Sequence, residues 1–340
     1  MRILWLHQYF ATPKGWGAVR TYEFARRFCS MGHSVDVVCC AGYDASLKCA
    51  GHYGSVEVDG MNVFVSGTTY RPHMGFARRV WSFLHFMVYA LCFVVRKGRT
   101  YDVVIASSGP LTMAVPALIG RWLHHLPFVF EVIDVWPDSA IAAGVLKNPL
   151  LKWLSFKLES LTYKYASIIV TCSTGMTERV KKKLEVRSEK LEVGEQRMEI
   201  GNRKSEDGGR SSKVVTISNC CDLGQFAQDG ENRRRTRERL GVRDDQTVAL
   251  YTGAMGLSNA IPDLVEAILA TMEDDRIVWW FAGSGPEEGK LREISHRGTE
   301  NAEGGGRMSF APDCDGVIVG EISRKDAKTQ RNRAAGLAEW

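Results

Sequence analysis

The sequence has no C-x-x-C pair, although it contains nine cysteines among its 340 residues. Zinc ribbons and thioredoxin-like redox sites are therefore excluded, because both need closely spaced cysteines. The number of cysteines is odd, and Met1 runs almost directly into an apolar segment, so we expect no secretory signal peptide. These features predict a reduced, cytoplasmic chain whose cysteines mostly serve as small core hydrophobes.

Two nucleotide-binding fingerprints are also missing. No G-x-x-x-x-G-K-[ST] segment occurs, which excludes a P-loop. A G-x-G-x-x-G pattern starts at Gly15 but has Arg20 at its third glycine position, and the second predicted strand ends without an acid. A dinucleotide-dependent oxidoreductase is therefore disfavoured, because both features of its fingerprint fail.

No apolar run is long enough to span a bilayer. The longest, residues 80–95, has 16 residues and would extend about 24 Å as a helix, against about 30 Å of hydrocarbon core. Basic residues flank it on both sides: Arg78, Arg79, Arg96, Lys97 and Arg99. The run predicts a buried helix or, alternatively, a helix in the membrane interface, in which case Phe86→Asp should abolish liposome binding.

Charge is distributed unevenly along the chain. Residues 1–175 contain 17 Lys and Arg against 10 Asp and Glu, whereas the remainder contains 27 against 29. The first half therefore favours an anionic partner, either a membrane surface or phosphate groups, with solvated surface charge as the alternative. We expect no nucleic-acid partner.

Apolar segments alternate with helix-like segments over most of the chain. A strand at 3–6, a glycine loop, a helix at 18–31 and a strand at 35–40 begin this pattern, which recurs up to residue 178 and again over 214–296. It predicts an α/β protein with two Rossmann-like domains, 1–178 and 214–296, the second of them incomplete.

Two segments depart from the alternation. In residues 181–213, 17 of 33 residues are charged, and the segment Lys183–Val186 is repeated at Lys190–Val193. We therefore expect an exposed, partly disordered insertion or linker at 179–213. Residues 297–340 lose the pattern altogether, which predicts a poorly ordered, atypical tail arising from truncation or a frame change.

Several residues with chemical potential follow predicted strands. The glycine loops Gly15–Gly17 and Gly253–Gly256 could bring backbone amides to a phosphate, or could simply form turns. Asp134, beside Trp136, could orient or deprotonate a hydroxyl, or cap the next helix. His7 could hydrogen-bond a ligand or be an ordinary loop residue.

Six segments, taken in order, resemble the retaining family-4 glycosyltransferases, which have the GT-B fold of two facing Rossmann-like domains. The resemblance is greatest to bacterial amino-sugar transferases of O-antigen and capsule synthesis, of the fucosamine type. It covers roughly residues 1–180 and 214–295. The segments are HQYFATPKGWGAVRTYEFARRF with MGHSVDVV, ASSGPLTMAVPAL, PFVFEVIDVWPDSAIAAGVLKNP, SNCCDLGQF, LYTGAMGL and WWFAGSGPEEGKLRE.

This resemblance implies roles for individual residues. Asp134 matches the acid of a D-x-W-P-E segment on the acceptor side, and we place His7, Arg20 and Trp136 on the same side. The residues that match donor-binding loops are Gly15, Gly17, Gly253, Gly256, Gly283, Gly285 and Glu287. Asn219 and Asp222 match an N-G-x-D turn that opens the second domain.

The resemblance also implies a reaction. A sugar would pass from a nucleotide sugar, UDP-linked, to a lipid-linked saccharide in cell-surface polysaccharide synthesis. The reaction would retain configuration, need no metal or other cofactor, and take place in the interdomain cleft at the cytoplasmic face of the inner membrane.

Four features of the sequence depart from the family pattern. Ile133 replaces an arginine, Ser218 and Cys220 replace a proline and a glycine, and no E-x7-E segment follows residue 300. The alternative is therefore an inactive, truncated remnant acting at most as a membrane-surface or saccharide-binding protein.

Overall fold

A computed structural model describes most of the chain. The described residues are 1–15, 17–47, 53–68, 74–195, 213–219, 229–256, 259–271, 276–283, 307–310 and 318–323, with residues 274, 285, 287, 289 and 290. The chain divides into two compact units, Met1–Cys221 and Asp222–Trp340.

Unit 1 is built around an eight-stranded sheet. Its strands are β1 (Arg2–Leu6), β2 (Ser34–Cys40), β3 (Tyr53–Val58), β4 (Met61–Ser66), β5 (Val103–Ser107), β6 (Phe128–Val132), β7 (Ile168–Thr171) and β8 (Val214–Thr216). Its helices are α1 (Arg20–Ser30), α2 (Phe76–Lys97), α3 (Ala114–His124), α4 (Asp138–Ala142), α5 (Pro149–Tyr165) and α6 (Thr174–Glu195). The strand order is β3-β4-β2-β1-β5-β6-β7-β8, and all neighbours are parallel except β3 and β4.

Helices cover both faces of this sheet, as the alternation of side chains in β1 shows. Leu4 and Leu6 belong to one buried cluster, which includes residues of α2 and α3. Ile3 and Trp5 belong to a second cluster on the opposite face, which includes residues of α1. Burial on both faces is what a parallel sheet requires, so the predicted α/β class is confirmed.

Unit 2 has a smaller sheet with mixed strand directions. It contains β9 (Thr247–Thr252), β10 (Ile277–Gly283), β11 (Arg307–Phe310), β12 (Ile318–Ser323), α7 (Gly230–Leu240) and α8 (Ile261–Thr271). The order is β11-β12-β10-β9; β9 and β10 are parallel, and the other pairs are antiparallel. Strands β11 and β12 lie in the tail for which we expected little order, and β12 contains the β-branched residues that favour strands.

The strand at Val214–Thr216 does not open the second domain as expected. Val214 pairs in parallel with Ile169 of β7, and Val215 pairs with Val170. These β-branched residues therefore complete the first sheet, and the division between the units falls after Cys221.

The predicted linker at 179–213 also differs from expectation in its first part. Helix α6 runs continuously from Thr174 to Glu195. The Lys, Leu, Glu and Arg residues of this segment are good helix formers, which explains why high charge did not prevent order here. Residues 196–212 lie outside the described residues.

Helix α2 is longer than its apolar core, because it extends through basic residues at both ends. The helical segment Ala77–Thr100 is long and apolar enough to cross a membrane by length and composition alone. One side of α2 packs into the core of unit 1 through Phe86, Ala90 and Val94. Phe86 is fully buried, so Phe86→Asp would test folding and not membrane binding. The exposed apolar residues of α2 are Trp81, Leu84, Val88 and Val95.

Candidate functional site

A buried ion pair lies at the carboxyl ends of the central strands of unit 1. Arg20, at the start of α1, donates from Nε to Oε1 of Glu131 at 2.8 Å, and the two side chains are 8% and 4% exposed. The other carboxylate oxygen of Glu131 accepts a 2.6 Å hydrogen bond from Ser107, which in turn accepts one from the Trp5 indole. The charge on β6 is therefore fully compensated, as burial requires.

Arg20 also holds the segment that follows β8. Its NH2 group donates to the carbonyl of Ile217 at 2.8 Å. Its NH1 group donates to the carbonyl of Ser218 at 2.8 Å and to Oδ1 of Asn219 at 3.3 Å. Each nitrogen of the predicted acceptor-side Arg20 thus has a protein acceptor. The structure also gives Asn219, predicted as a turn residue, a contact that anchors it.

His7 follows β1 and is buried at the same edge of the sheet. Its Nδ1 lies 2.8 Å from the hydroxyl oxygen of Thr21. Burial lowers the pKa of His7 to about 4, although the negative charge of Glu131 opposes this shift. The imidazole is therefore neutral at physiological pH and can act as a hydrogen-bonding group, but not as a cation.

Asp134 lies just beyond β6 and is accessible to solvent. Ser108 fixes its backbone, because the Ser108 hydroxyl oxygen accepts from the amides of Ile133 at 2.9 Å and Asp134 at 3.3 Å. Within the described part of the chain, its carboxylate has no hydrogen-bond or ion-pair partner. Partial desolvation of this carboxyl raises its pKa above the ordinary value, which makes it a stronger base than a fully solvated aspartate.

The structure adds residues to this site that the sequence analysis did not assign. Cys172, just after β7, lies close enough to Arg20, Glu131 and Asp134 for their charges to affect its thiol, whose pKa is raised mainly by burial. Glu131 could have been found, because it is a charged residue within an otherwise apolar predicted strand. Nothing in the sequence pattern identified Ser107, Ser108 or Cys172. Trp136, which was predicted here, packs partly buried against the large core cluster.

The glycines at 15 and 17 have a packing role. A Cβ atom on Gly15 would lie 2.7 Å from the carbonyl oxygen of Tyr43, and one on Gly17 would lie 2.9 Å from Cβ of Ala11. This close approach is held by the buried Asp44, whose carboxylate accepts from the amide and hydroxyl of Thr12. The loop after β1 therefore needs glycine to meet the loop after β2. Contact between the loop after β1 and the donor stays a prediction.

The two glycine loops of unit 2 lie against each other at the carboxyl ends of β9 and β10. A Cβ atom on Gly283 would lie 1.9 Å from the carbonyl oxygen of Gly253, and one on Gly285 would lie 2.3 Å from that of Met255. Gly253 has φ +145° and Gly283 has φ +156°, which L side chains rarely adopt. A Cβ on Gly256 would lie 3.0 Å from Oδ1 of Asn259. The structure thus brings all four predicted glycines together.

The loop between β9 and α8 offers unused hydrogen-bond donors. Within the residues that the structure describes, the backbone amides of Ala254, Met255 and Gly256 donate no hydrogen bond, although Met255 is buried. Buried amides are normally satisfied, by water or a ligand where protein acceptors are lacking. Glu287 donates its amide to the Met255 carbonyl at 3.0 Å and pairs through its side chain with Lys290.

Two further expectations concern the turn residue Asp222 and the independence of the reaction from metal. Asp222, predicted in the turn with Asn219, lies outside the described residues. Among the described residues, no group of three or more His, Cys, Asp or Glu side chains could hold a metal ion. The expected independence from metal stays a prediction.

Comparison with solved structures assigns the class of fold. The Anabaena protein HepE in complex with UDP superposes with a TM-score of 0.56 at 16% identity, over 88% of this chain and 66% of the HepE chain. The sucrose-phosphate synthase of Thermosynechococcus elongatus gives a TM-score of 0.55 at 11% identity, over 86% of this chain and 67% of the synthase chain. The present chain thus spans about two thirds of the length of these proteins. The fold class is that of GT-B glycosyltransferases.

The family follows from the sequence match. The model of the glycosyl transferase 4-like domain matches residues 17–194, which is more than half of the chain, and the chain therefore belongs to this family. No curated protein sequence matches it significantly. The match lies entirely within unit 1 and includes Arg20, Glu131 and Asp134.

Proposed function

We propose that this protein transfers a sugar from a nucleotide sugar, UDP-linked, to a saccharide acceptor. The observation that carries the proposal is the match to the glycosyl transferase 4-like domain over residues 17–194. HepE, which shares the fold, has been solved with UDP and with UDP-glucose. The unsatisfied amides of the loop after β9 support the nucleotide part of this assignment.

The proposed chemistry has a donor part and an acceptor part. In unit 2, the amides of residues 254–256 bind the diphosphate and stabilise the negative charge that develops as it leaves. In unit 1, the Asp134 carboxylate orients the acceptor hydroxyl and accepts its proton. The hydroxyl attacks the anomeric carbon on the face from which the diphosphate departs, so the configuration is retained, and no metal ion takes part.

The acceptor in this proposal is a lipid-linked saccharide of cell-surface polysaccharide synthesis, of the O-antigen or capsule type, with an amino sugar as donor. The protein binds peripherally at the cytoplasmic face of the membrane. The exposed apolar residues of α2 and its basic ends support this part, because an interfacial helix combines these features. The net positive charge of residues 1–175 also supports binding to a membrane surface that contains anionic lipids.

A transfer assay tests the proposal. The chain is incubated with UDP-glucose, UDP-galactose and their N-acetylamino forms, with saccharide acceptors, and released UDP and product configuration are measured. We expect release with at least one donor, an α-linked product from an α-linked donor, and a loss of at least about 100-fold in Asp134→Asn. The exposed Asp244→Asn is the control and should be unchanged. Release that Asp134→Asn leaves intact would contradict the assigned role.

A binding protein without transfer activity is the second candidate. The observation that favours it is the lack of an E-x7-E segment after residue 300. Binding of UDP without turnover of any donor in the assay above would support this candidate over the first.

A further inference from the structure

A pocket of about 510 Å³ opens beside the first half of α2, outside the cluster around Arg20. The lining residues that carry the argument are Tyr53, Thr68, Arg78, Trp81, Ser82 and His85. We propose that this pocket, called here the α2 pocket, binds the saccharide and phosphate of a lipid-linked acceptor. The proposal rests on the proposed function and names where its acceptor binds.

The wall of the α2 pocket is an ordered chain of polar side chains. Nδ1 of His85 lies 2.8 Å from the Thr68 hydroxyl oxygen, and Nε2 lies 3.3 Å from the Tyr53 hydroxyl oxygen. The Thr68 hydroxyl is also 2.6 Å from that of Ser66. Both nitrogens of the ring are thus engaged, and the ring is held in place. Fixed hydroxyl and imidazole groups of this kind suit hydroxyl-rich ligands.

Aromatic rings provide the second feature of a saccharide site. Trp81 is 71% exposed although it is the largest apolar side chain at the pocket. Tyr53 is also exposed, and its ring is stacked on that of Tyr89 with the centroids 5.1 Å apart. An exposed indole pairs an apolar face with a polar edge. Such a surface complements a sugar ring, which has an apolar face and a polar rim.

The charge of the pocket suits a phosphate. Arg78 lines it, and within the described part of the chain its guanidinium has no hydrogen-bond or ion-pair partner. Residues 60–101 contain six Lys and Arg and no Asp or Glu, so no nearby acid in this segment competes for Arg78. Guanidinium groups bind phosphate oxygens through paired hydrogen bonds.

The α2 pocket is connected to the site at the end of β1. Gln8 directly follows His7, and its Nε2 donates to the hydroxyl oxygen of Ser82 at 3.3 Å. Gln8 is fully buried, and its amide oxygen has no partner among the described residues. Tyr9 packs edge-on against Phe83 of α2 at 6.4 Å. A ligand in the pocket would therefore lie beside the residues that we place on the acceptor side.

The exposed stripe of α2 provides a place for the lipid chain. Leu84, Val88 and Val95 continue from Trp81 along one face of the helix and are all exposed. From residue 81 to residue 95 the helix rises about 21 Å. The polar head group and the apolar chain of one amphiphile therefore have adjoining surfaces.

Binding of defined probes to the full chain, without a donor, tests this proposal. The probes are farnesyl diphosphates carrying glucose, galactose, N-acetylglucosamine or N-acetylgalactosamine, with farnesyl diphosphate and dihexanoyl phosphatidylglycerol for comparison. We expect at least one saccharide probe to bind about tenfold more tightly than farnesyl diphosphate. Trp81→Ala should remove this gain, and Arg78→Gln should weaken all the diphosphate probes.

The matched controls are exposed residues of the same type outside the pocket. Trp153→Ala on α5 and Arg179→Gln on α6 should bind every probe like the unmodified chain. The proposal is overturned if no saccharide probe gains affinity, if phosphatidylglycerol binds equally well, or if Trp81→Ala retains the gain.

These outcomes are separable from failure of the proposed function. Tight, Trp81-dependent binding without any sugar transfer would support the pocket assignment and contradict the proposed transferase activity. Transfer to soluble saccharides, with no binding of the lipid probes, would support the transferase and overturn the pocket assignment.

Discussion

Arg20 shows how one side chain can hold an edge of the sheet together. It joins α1 to β6 and to the segment after β8 through hydrogen bonds to Glu131, Ile217, Ser218 and Asn219. The sequence resemblance placed Arg20 on the acceptor side. In the structure, each nitrogen of its guanidinium group donates a hydrogen bond to another residue of this chain. We therefore expect Arg20 to position neighbouring residues, and its place on the acceptor side stays a prediction.

Removal of Glu131 should destabilise the protein, because Arg20 would remain as a buried charge without its ion-pair partner. We expect Glu131→Ala to reduce the free energy of unfolding of unit 1 by about 3–5 kcal/mol, because it leaves Arg20 buried and unpaired. Urea denaturation followed by tryptophan fluorescence measures this loss. Arg234→Ala breaks the exposed ion pair with Glu238 and should cost less than about 1 kcal/mol. Equal losses in the two variants would contradict the assignment of a buried pair.

The buried His7 should make stability depend on pH. Between its ordinary pKa of 6.5 and its native value of about 4, the unfolded chain binds a proton that the native chain does not. Stability should therefore fall as the pH drops through this range, by up to about 1.4 kcal/mol per pH unit from this group. Above pH 6.5 the contribution is constant.

Two histidine variants test whether His7 causes this pH dependence of stability. Urea denaturation at pH 7 and pH 5 should show a smaller difference in His7→Gln than in the unmodified chain. His125→Asn, at an exposed histidine with φ +54° that asparagine tolerates, should leave the difference unchanged. The assignment would be wrong if both variants behaved alike.

At the scale of elements, the strands and helices of unit 1 were largely predictable, because apolar periodicity sets them. The strands predicted at 3–6 and 35–40 form at Arg2–Leu6 and Ser34–Cys40. The hairpin of β3 and β4 was missed, and β8 was assigned to the wrong domain. Pairing partners depend on contacts distant in sequence, which periodicity does not contain.

The glycine loops of unit 2 depend on close backbone contact between two elements. We expect Gly285→Ala to destabilise unit 2 by more than about 1 kcal/mol, because its Cβ would press on the Met255 carbonyl. The tryptophans of β10 report this change in denaturation experiments. Among the described residues, a Cβ on Gly230 would meet nothing within 4 Å, so Gly230→Ala should be neutral or slightly stabilising. Equal stability of both variants would refute the close contact.

Helix α2 allows a direct test of the membrane proposal. The double variant Leu84→Asp with Val88→Asp should lose most binding to vesicles containing anionic phospholipid, because it places two charges on the exposed stripe. Vesicle co-sedimentation measures this binding, and circular dichroism confirms folding. Leu269→Asp, at an exposed leucine of α8 in unit 2, is the control. Undiminished binding of the double variant would contradict a membrane contact through α2.

At the scale of the whole molecule, family and fold could be predicted while much of the site could not. The order of motif segments identified a glycosyltransferase, whereas the donor-binding role of the glycines in the β9 and β10 loops stays a prediction. The contacts of Glu131 with Ser107 and of Ser108 with Asp134 form only when β5 and β6 lie side by side. The α2 pocket likewise combines a hairpin strand, a loop and a helix that no single segment of sequence contains.

Calorimetric titration of the full chain with UDP tests the central claim most directly. The account predicts binding in the micromolar range, corresponding to about −8 kcal/mol, and its loss in Gly285→Ala, which disturbs the loop that carries the unsatisfied amides. Absence of binding by a chain that circular dichroism shows to be folded would contradict the claim that this protein uses a UDP-linked sugar.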